Sequence, residues 1–385
     1  MTLAGGRVAV SAARAESADV AIRSGRICGF GRGDGVVVDV SGHVILPGLI
    51  NAHDHLEFSL FPRLGRGPYP NAAAWAEDIY RPEESPVKEH LSVPKPVRLV
   101  WGGIKNLLSG VTTVAHHNPY EAAVFGRSFP VRVVRRFGWA HSLHFSPDVG
   151  ERFRATRAGW PFIIHAAEGT DSAARDEGFR LDKMGALTRR TVLVHATGLD
   201  ADGLDLVRKR GASIIWCPSS NLFTLGRTLG EDVLRSGVPI ALGTDSSLTS
   251  AGALREELCT AAGVALEEVY AMVTERAARI LRLNHGEGAL REGGAADLVA
   301  VADRDGSPAE ALHSICPELV IAGGRIQLAS VRFAERLPGP LKAHLNPIQL
   351  DGCRWLIAAD TKRLVETTSG LLGPDFRLGG RRVSL

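Results

Sequence analysis

The sequence predicts an α/β protein, a barrel of parallel strands with a smaller β domain attached. Short apolar runs bounded by turn residues recur along the chain, and such runs are typical of buried parallel strands. Segments with helical periodicity lie between them, and this alternation is the pattern of parallel α/β architecture. A chain of 385 residues is long enough for one barrel of about 250 residues and a smaller domain.

The two ends of the chain differ from its middle in their pattern of apolar residues and glycines. Residues 1–43 and 286–334 hold short, glycine-punctuated segments that alternate like small antiparallel strands. We expect both ends to build one small β-sandwich domain, with two unrelated β pieces as the alternative. Residues 44–285 are expected to form the barrel. Residues 335–385 are a C-terminal extension that either wraps the barrel or contacts a second subunit.

The best-defined elements of the middle region are helices. The spacing of apolar residues predicts helices over 97–109, 201–210 and 266–283. Asp200 is placed to cap the second of these at its start, and Gly211 to end it.

Two segments do not fit a compact alternation of strand and helix. Residues 56–96 are rich in proline, aromatic and charged residues, and a loop of this length without regular structure is often a lid or a specificity wall. Residues 131–145 should hold the third and fourth strands, but they leave no room for a helix between them. We therefore expect the barrel to be shortened there.

Composition and charge exclude several classes of protein. A net charge of +3 over this length, with no run of like charges, does not suggest a nucleic-acid partner, and the Arg189-Arg190 pair is interpreted as solvated surface. No apolar stretch approaches the roughly 20 residues that a membrane span needs, and the N-terminus is unlike a signal peptide. The five cysteines are scattered without a CxxC motif, which favours a reducing compartment. We expect a cytoplasmic protein.

Four of the apolar runs end in residues that bind metals or move protons. The run over 44–55 ends in His53-Asp54-His55, 162–165 in His165, 192–195 in His195, and 240–245 in Asp245. Because chemistry in a barrel of parallel strands lies where the strands end, these side chains are expected to meet in one place. The pattern predicts a hydrolytic metal site.

The spacing of these residues suggests individual roles. His53 and His55 are two apart, so on an extended strand both imidazoles face one side and can reach one cation at about 2.0–2.1 Å. Asp245 can bind the metal and draw a proton from bound water, with a helix cap as the alternative. His195 is either a further ligand or a residue that bonds the attacking water or the substrate.

Glu168 is the candidate for proton transfer. It follows His165 by three residues, at the turn that leaves the strand, where it can lean over the site without binding the metal. A carboxyl in a water-poor pocket has a raised pKa and can accept and return a proton. A glutamate at a helix start, stabilised by the helix dipole, is the alternative.

With these motifs the chain resembles the amidohydrolase superfamily, in particular its mononuclear deaminase and chlorohydrolase-like branch. The resemblance covers about residues 3–305. It rests on the following segments: Pro47-Gly48-Leu49-Ile50-Asn51-Ala52-His53-Asp54-His55, Gly110-Val111-Thr112-Thr113-Val114, His165-Ala166-Ala167-Glu168-Gly169, Val194-His195, Cys217-Pro218-Ser219-Ser220-Asn221, Gly243-Thr244-Asp245 and Gly293-Gly294-Ala295-Ala296-Asp297-Leu298-Val299.

The resemblance implies a fold, a metal and roles. The fold is a distorted (β/α)8 TIM barrel with a small β-sandwich formed by both chain ends. One divalent ion is implied, zinc first with iron and manganese as alternatives, and its ligands are His53, His55, His165 and Asp245. Glu168 then corresponds to the proton shuttle, and His195 to the histidine that positions the attacking water and is sometimes a ligand.

One departure supports a single ion. Many two-metal relatives bridge their ions with a modified lysine on a middle strand, and no lysine lies between Asn106 and Lys183. We therefore expect a mononuclear site.

The expected reaction is deamination of an amino-substituted nitrogen heterocycle by a metal-bound hydroxide. Hydrolysis of a cyclic amide, an amidine, or a ring halide or thioether in the same site is the first alternative. A catalytically inactive scaffold is a remote one, because such proteins typically lose the strand-end ligands that are present here.

The expected partner is a small-molecule substrate, bound by a homo-oligomer that is most simply a dimer. The candidate substrate contacts are Glu57, Arg63, Tyr69, His117, His141 and Asn221. His117 and His141 follow apolar runs and could bond a polar heterocycle, as could their neighbours His116 and His144. For each of these four histidines a structural role is the alternative.

Overall fold

The structure is a computed structural model that describes residues 1–385. Its strands are β1 (Thr2–Ala4), β2 (Arg7–Ala9), β3 (Ala15–Ser17), β4 (Val20–Arg23), β5 (Arg26–Phe30), β6 (Val37–Asp39), β7 (His43–Pro47), β8 (Leu49–Asp54), β9 (Val111–His116), β10 (Arg132–Val133), β11 (Gly138–Ser142), β12 (Phe162–Ala166), β13 (Thr191–His195), β14 (Ser213–Trp216), β15 (Ile240–Leu242), β16 (Leu298–Ala302), β17 (Leu319–Ala322), β18 (Arg325–Ser330), β19 (Asn346–Leu350), β20 (Cys353–Ile357), β21 (Arg377–Leu378) and β22 (Arg381–Ser384).

The helices alternate with the strands through the middle of the chain. They are α1 (Ala72–Ile79), α2 (Val87–Ser92), α3 (Lys95–Leu107), α4 (Val149–Ala155), α5 (Ser172–Lys183), α6 (Ala201–Arg210), α7 (Pro218–Leu225), α8 (Glu231–Leu234), α9 (Leu254–Thr260), α10 (Leu266–Met272), α11 (Glu275–Ile280), α12 (Pro308–His313), α13 (Val331–Ala334), α14 (Gly339–Lys342) and α15 (Thr361–Leu372), with a 3-10 turn at Leu56–Phe58. None of these helices has the length and apolar character needed to cross a bilayer.

Eight strands of the middle region are parallel and form two sheets. One sheet has the order β10-β9-β8, and the other has the order β11-β12-β13-β14-β15. All are short, and β8, β9, β12 and β13 are buried along their whole length, as expected for parallel strands covered by helices. No ladder joins β10 to β11, in the segment where the sequence leaves no room for a helix.

The outer strands of the two sheets, β8 and β15, meet at their C-terminal ends. The amides of Thr244 and Asp245 donate to the carbonyl of His53, at 2.9 and 3.1 Å, and Asp54 and Asp245 form an isolated parallel bridge. Gly243 permits this approach, since a Cβ there would lie 2.7 Å from the Cβ of His53. The contact brings the His53-Asp54-His55 segment beside Asp245.

Both ends of the chain contribute to one ten-stranded sheet with the order β21-β22-β19-β20-β18-β17-β16-β7-β2-β3. A second, four-stranded sheet, β5-β4-β1-β6, packs with it around a cluster of 19 buried apolar residues. The C-terminal extension supplies the strands β19, β20, β21 and β22. These strands continue the large sheet beyond β18.

Local predictions succeed and fail for physical reasons. The helix α6 has the expected bounds, with the Asp200 side chain accepting from Gly203 N and Gly211 in the left-handed conformation. The expectation of one helix over 266–283 is wrong, because α10 ends at Met272 and α11 begins at Glu275. The expected loop over 56–96 contains a 3-10 turn and the helices α1 and α2, where Asn71 caps α1.

Candidate metal centre

The predicted ligands lie together at the C-terminal ends of the parallel strands. His53 lies on β8 and His55 directly after it, His165 is on β12, and Asp245 follows β15. All four are buried, at 6% exposure or less. The structure therefore brings together side chains from three strands that are far apart in the sequence.

The distances between their donor atoms match one small cation. His165 Nε2 lies 3.2 Å from His53 Nε2 and 3.4 Å from His55 Nε2. Asp245 Oδ1 lies 3.4 Å from His53 Nε2 and 3.4 Å from His55 Nε2. Two ligands bonded to one ion at about 2.0–2.1 Å lie about 2.9 Å apart at right angles and about 3.3–3.4 Å apart at the tetrahedral angle. Residues His53, His55, His165 and Asp245, here called the four-donor set, fit a divalent metal ion.

Neighbouring groups fix two of these donors. The Nδ1–H of His165 donates to the carbonyl of His141 at 2.8 Å, so the lone pair of Nε2 faces the other donors. Asp245 has a left-handed φ of +61°, and its Oδ2 accepts from Ser220 Oγ at 2.7 Å and from Thr249 Oγ1 at 3.0 Å. Its Oδ1 is left for the histidines. Such supporting bonds orient metal ligands.

The charges of the site favour deprotonated ligands. Burial lowers the pKa of His165 well below its usual value, and neighbouring histidines lower it further. Burial alone would raise the pKa of Asp245, but a hydrogen bond from His53 and the nearby histidines hold it well below its usual value. Neutral imidazoles and an ionised carboxylate are the states that bind a cation.

His195 and Glu168 face each other beside the four-donor set. His195 Nε2 lies 3.4 Å from Glu168 Oε1 and 3.9 Å from Asp245 Oδ2, and it has no hydrogen-bond partner. The amide nitrogen of Asn221 donates to His195 Nδ1 at 2.8 Å, which leaves the ring proton on Nε2. Burial lowers the pKa of His195 to about 3, so the ring is neutral.

Glu168 is held in an environment that disfavours its charge. Burial raises the pKa of this carboxyl well above its usual value, and the charges of Asp245 and Glu177 raise it further. Glu177 on α5 also accepts a 2.7 Å hydrogen bond from the amide of Ala167, which is left-handed with a φ of +52°. A protonated acid beside a cation site is able to give and retrieve a proton.

Two of the histidines predicted as substrate contacts, His117 and His141, lie close to the four-donor set. His117 is 1% exposed, and its ring lies 5.0 Å from that of His53 and 4.5 Å from that of His165. His141 is half-buried with its ring 4.8 Å from that of His165, whereas His144 is exposed. Two groups of four residues bring their possible metal-binding atoms within 4.8 Å of one another, and both groups contain His53 and His165. The first group adds His55 and His117, and the second adds His195 and Asp245.

Glu57, Arg63 and Tyr69, the substrate contacts predicted in the 56–96 segment, have different surroundings. Glu57 is buried, with Oε2 3.4 Å from His116 Nε2. Arg63 donates to the carbonyl of Ser250 at 2.7 Å and lies over the ring of Phe223. The Tyr69 hydroxyl is occupied within the segment itself, where it accepts from Arg66 N and donates to Asp78.

Sequence reasoning missed a buried charge between the two predicted ligands His53 and His55. Asp54 accepts from Lys105 Nζ at 3.2 Å and from Asn106 Nδ2 at 2.7 Å, both on α3, and from Asn51 Nδ2 at 3.2 Å. Because side chains alternate along a strand, a residue between two ligands must face away from the site. This alternation could have been read from the sequence. Through its hydrogen bonds Asp54 holds β8 against α3.

The family model of the amidohydrolase family matches residues 104–327, which is more than half of the chain. Among curated proteins, the 5-methylthioadenosine/S-adenosylhomocysteine deaminase of Teredinibacter turnerae is 26% identical over 362 residues, covering 74% of this chain and 77% of the relative. The protein of the same name from Natronomonas pharaonis is 26% identical over 386 residues, covering 84% and 88%.

Solved structures agree in fold. The adenosine deaminase from Xanthomonas campestris with bound zinc superposes with a TM-score of 0.72 at 19% identity, covering 96% of this chain and 97% of the other. The zinc complex of atrazine chlorohydrolase from Arthrobacter aurescens gives a TM-score of 0.70 at 19% identity, covering 96% and 99%. The chain belongs to the amidohydrolase family.

Proposed function

We propose that the protein is a metal-dependent deaminase that removes the exocyclic amino group of a nitrogen heterocycle, with adenine nucleosides as the first substrate class. One observation supports the reaction above all others: the carboxyl of Glu168, which is 14% exposed and has a raised pKa, lies beside the four-donor set and 3.4 Å from His195. The substrate class comes from the curated relatives, which are named as 5-methylthioadenosine/S-adenosylhomocysteine deaminases.

His53, His55, His165 and Asp245 would hold one divalent ion, zinc first. When bound, such an ion lowers the pKa of a coordinated water from 15.7 towards about 7, so that a nucleophile is available at neutral pH. A single ion agrees with the compact spacing of these donors, which is 3.2–3.4 Å for the four measured pairs.

The residues of the chain would then direct the protons. Glu168 in its protonated form gives a proton to the ring nitrogen beside the reacting carbon, which makes that carbon more electrophilic. The Nε2–H of His195 donates to the oxygen that is added there and stabilises its charge. Glu168 takes one proton of the attacking water and passes it to the amino group, which leaves as ammonia, and the second proton of that water restores the acid form of Glu168.

The proposed architecture is a distorted barrel. The eight parallel strands would enclose the 14-residue apolar cluster that draws one or more residues from β8, β9, β12, β13, β14 and β15. The contact of β8 with β15 closes one seam, and the missing ladder between β10 and β11 is the distortion. The small β-sandwich of 1–43 with 286–334, the barrel of 44–285 and the extension of 335–385 are proposed as its domains.

The cytoplasmic location and the homodimer stay predictions. The five free cysteines are compatible with the former.

The direct test is an ammonia-release screen with metal-reconstituted protein over adenine nucleosides, guanine, cytosine, pterins and amino- and chloro-triazines. We expect ammonia release from the adenine nucleosides, with the amino group replaced by oxygen in the product. Loss of a halide or thiol, or ring opening, without ammonia from any substrate would contradict the proposal.

A further inference from the structure

We propose that His117 is a fifth protein ligand of the metal ion, binding through Nδ1. The inference rests on the metal-binding part of the proposed function and adds a nitrogen donor to the four-donor set.

The first argument is the position of the residue in the fold. His117 directly follows β9, and its backbone N–H donates to the carbonyl of Asp54 at 3.0 Å. This bond fixes His117 beside the segment that carries His53 and His55. Its side chain is buried, and one of its ring nitrogens lies within 4.8 Å of a donor atom of His53, His55 and His165.

The second argument is the tautomer. His117 Nε2 lies 3.1 Å from the carbonyl of Ala140, and a carbonyl oxygen can only accept. The proton is therefore on Nε2, and Nδ1 presents a lone pair. That nitrogen is buried and has no hydrogen-bond partner. A buried acceptor without a partner is unfavourable, unless a cation or a donor occupies the space before it.

The third argument is that His165, a member of the four-donor set, is held in the same way. His165 gives its Nδ1–H to the carbonyl of His141, and His117 gives its Nε2–H to the carbonyl of Ala140. Successive carbonyls of a regular strand point in opposite directions. The register of β11 against β12 shifts between Ala140 and Ser142, and this irregularity lets two consecutive carbonyls hold two imidazoles of one site.

The position of His117 relative to the predicted proton shuttle also agrees with this assignment. The side of the site that His117 occupies is distinct from that of Glu168, because the donor group containing His117 contains neither His195 nor Asp245. A ligand there leaves the Glu168 and His195 side open for substrate.

The test compares His117→Ala and His117→Asn with wild type, and uses metal binding as the readout. The purified proteins are stripped, reloaded with zinc and titrated with a competing chelator; cobalt(II)-loaded samples are examined by paramagnetic proton NMR. We expect His117→Ala to bind zinc at least about 10-fold more weakly, since even residues that only support ligands cost 10–100-fold. One strongly shifted, exchangeable N–H signal, that of His117 Nε2–H, should also disappear.

His117→Asn keeps a donor oxygen near the position of Nδ1 and should recover part of the zinc affinity. If circular dichroism shows that His117→Ala does not fold, the zinc affinity and the shifted signals of His117→Asn test the ligand assignment in its place. The exposed His144 supplies the matched control, since His144→Ala removes an imidazole two residues beyond β11 and should leave both readouts unchanged.

Unchanged zinc affinity and an unchanged set of shifted signals in both His117 variants would overturn the inference, and a raised KM in that case would assign Nδ1 to the substrate. Wild-type protein that binds zinc with intact His117 signals but releases no ammonia would contradict the proposed deamination and leave this ligand assignment standing. Wild-type protein that binds no divalent ion would overturn both.

Discussion

At the scale of single residues, the site separates the groups proposed to hold a cation from those proposed to move protons. Oδ1 of Asp245 faces His53 and His55, while its Oδ2 is bonded by Ser220 and Thr249. Four non-glycine residues at the strand ends have left-handed backbones: Ala167, His195, Ala196 and Asp245. Such strain is stored where the surrounding structure fixes it, and here it aims side chains at the site.

Glu168→Gln should leave the metal content unchanged and lower kcat by at least about 10²-fold, because the amide keeps the size of the side chain but cannot shuttle a proton. Ammonia release and metal content are measured on the same samples. The exposed Glu151 on α4 provides the control, as Glu151→Gln should have the activity of wild type. Full activity in Glu168→Gln would exclude this residue as the proton shuttle.

Asn221→Ala should lower kcat by roughly 10-fold or more at unchanged zinc affinity, since the amide of Asn221 fixes the tautomer of His195 at 2.8 Å. The neighbouring Leu222 is 45% exposed on the same helix, so Leu222→Ala is the matched control. Loss of zinc together with activity would instead identify His195 as a ligand.

The sequence was most informative where chemistry and strand ends coincide. His53, His55, His165, His195, Glu168 and Asp245 were all singled out because each follows an apolar run, and the structure brings all six together. Asp54 and Glu177 were missed because their roles depend on which helix packs behind the ligands. Tyr69 was singled out for its aromatic ring, but only the folded segment shows that its hydroxyl bonds Asp78.

At the scale of elements, the helix α7 connects three buried groups in its first turn. Ser219 bonds Glu257 of α9, Ser220 bonds Asp245, and Asn221 bonds His195. Glu257 accepts from the amide of Ser219 at 3.0 Å and is fully buried. The side chain of Glu257 therefore bonds Ser219 and not the four-donor set or His195.

Glu257 should make the stability of the protein depend on pH. Burial raises its pKa to about 8 from the ordinary value of 4.5, so between these values the folded chain keeps a proton that the unfolded chain has lost. The free energy of unfolding therefore falls as the pH rises through this window and levels above it. The effect is on the order of a few kcal/mol, at about 1.4 kcal/mol for each pKa unit.

Denaturant unfolding of wild type, Glu257→Gln and the exposed-site control Glu267→Gln, each at about pH 5 and pH 8, measures this dependence. Wild type and Glu267→Gln should lose more stability between the two pH values than Glu257→Gln does. Equal slopes in all three proteins would show that Glu257 is ionised in the folded state throughout.

At the scale of the whole molecule, the C-terminal extension is part of the main core. Trp101 of α3 donates to Thr368 of α15 at 2.8 Å and contacts Phe376, and Trp355 packs in the same 63-residue cluster. The amide of Gly379 also bonds the carbonyl of Ser59, which lies four residues after His55. The sequence left open whether the extension wraps the barrel or contacts a second subunit, because the pairing of β19–β22 with β18 depends on contacts far apart in the chain.

Trp355→Ala should therefore destabilise the protein by about 3–5 kcal/mol, the usual cost of truncating a buried tryptophan. Thermal unfolding measures this loss. The exposed Arg354 beside it supplies a control, since Arg354→Ala should change stability by less than about 1 kcal/mol. A Trp355→Ala protein as stable as wild type would show that the extension docks without contributing to the fold.

The pairing of β7 with β16 has a consequence for biosynthesis. Residues 43–47, which lead directly into the strand of His53 and His55, bond to residues 298–302. One edge of β7 therefore stays unpaired in the nascent chain until residues 298–302 have left the ribosome. Completion of the large sheet is for this reason expected late in synthesis, and the open edge of β7 is exposed to aggregation until then.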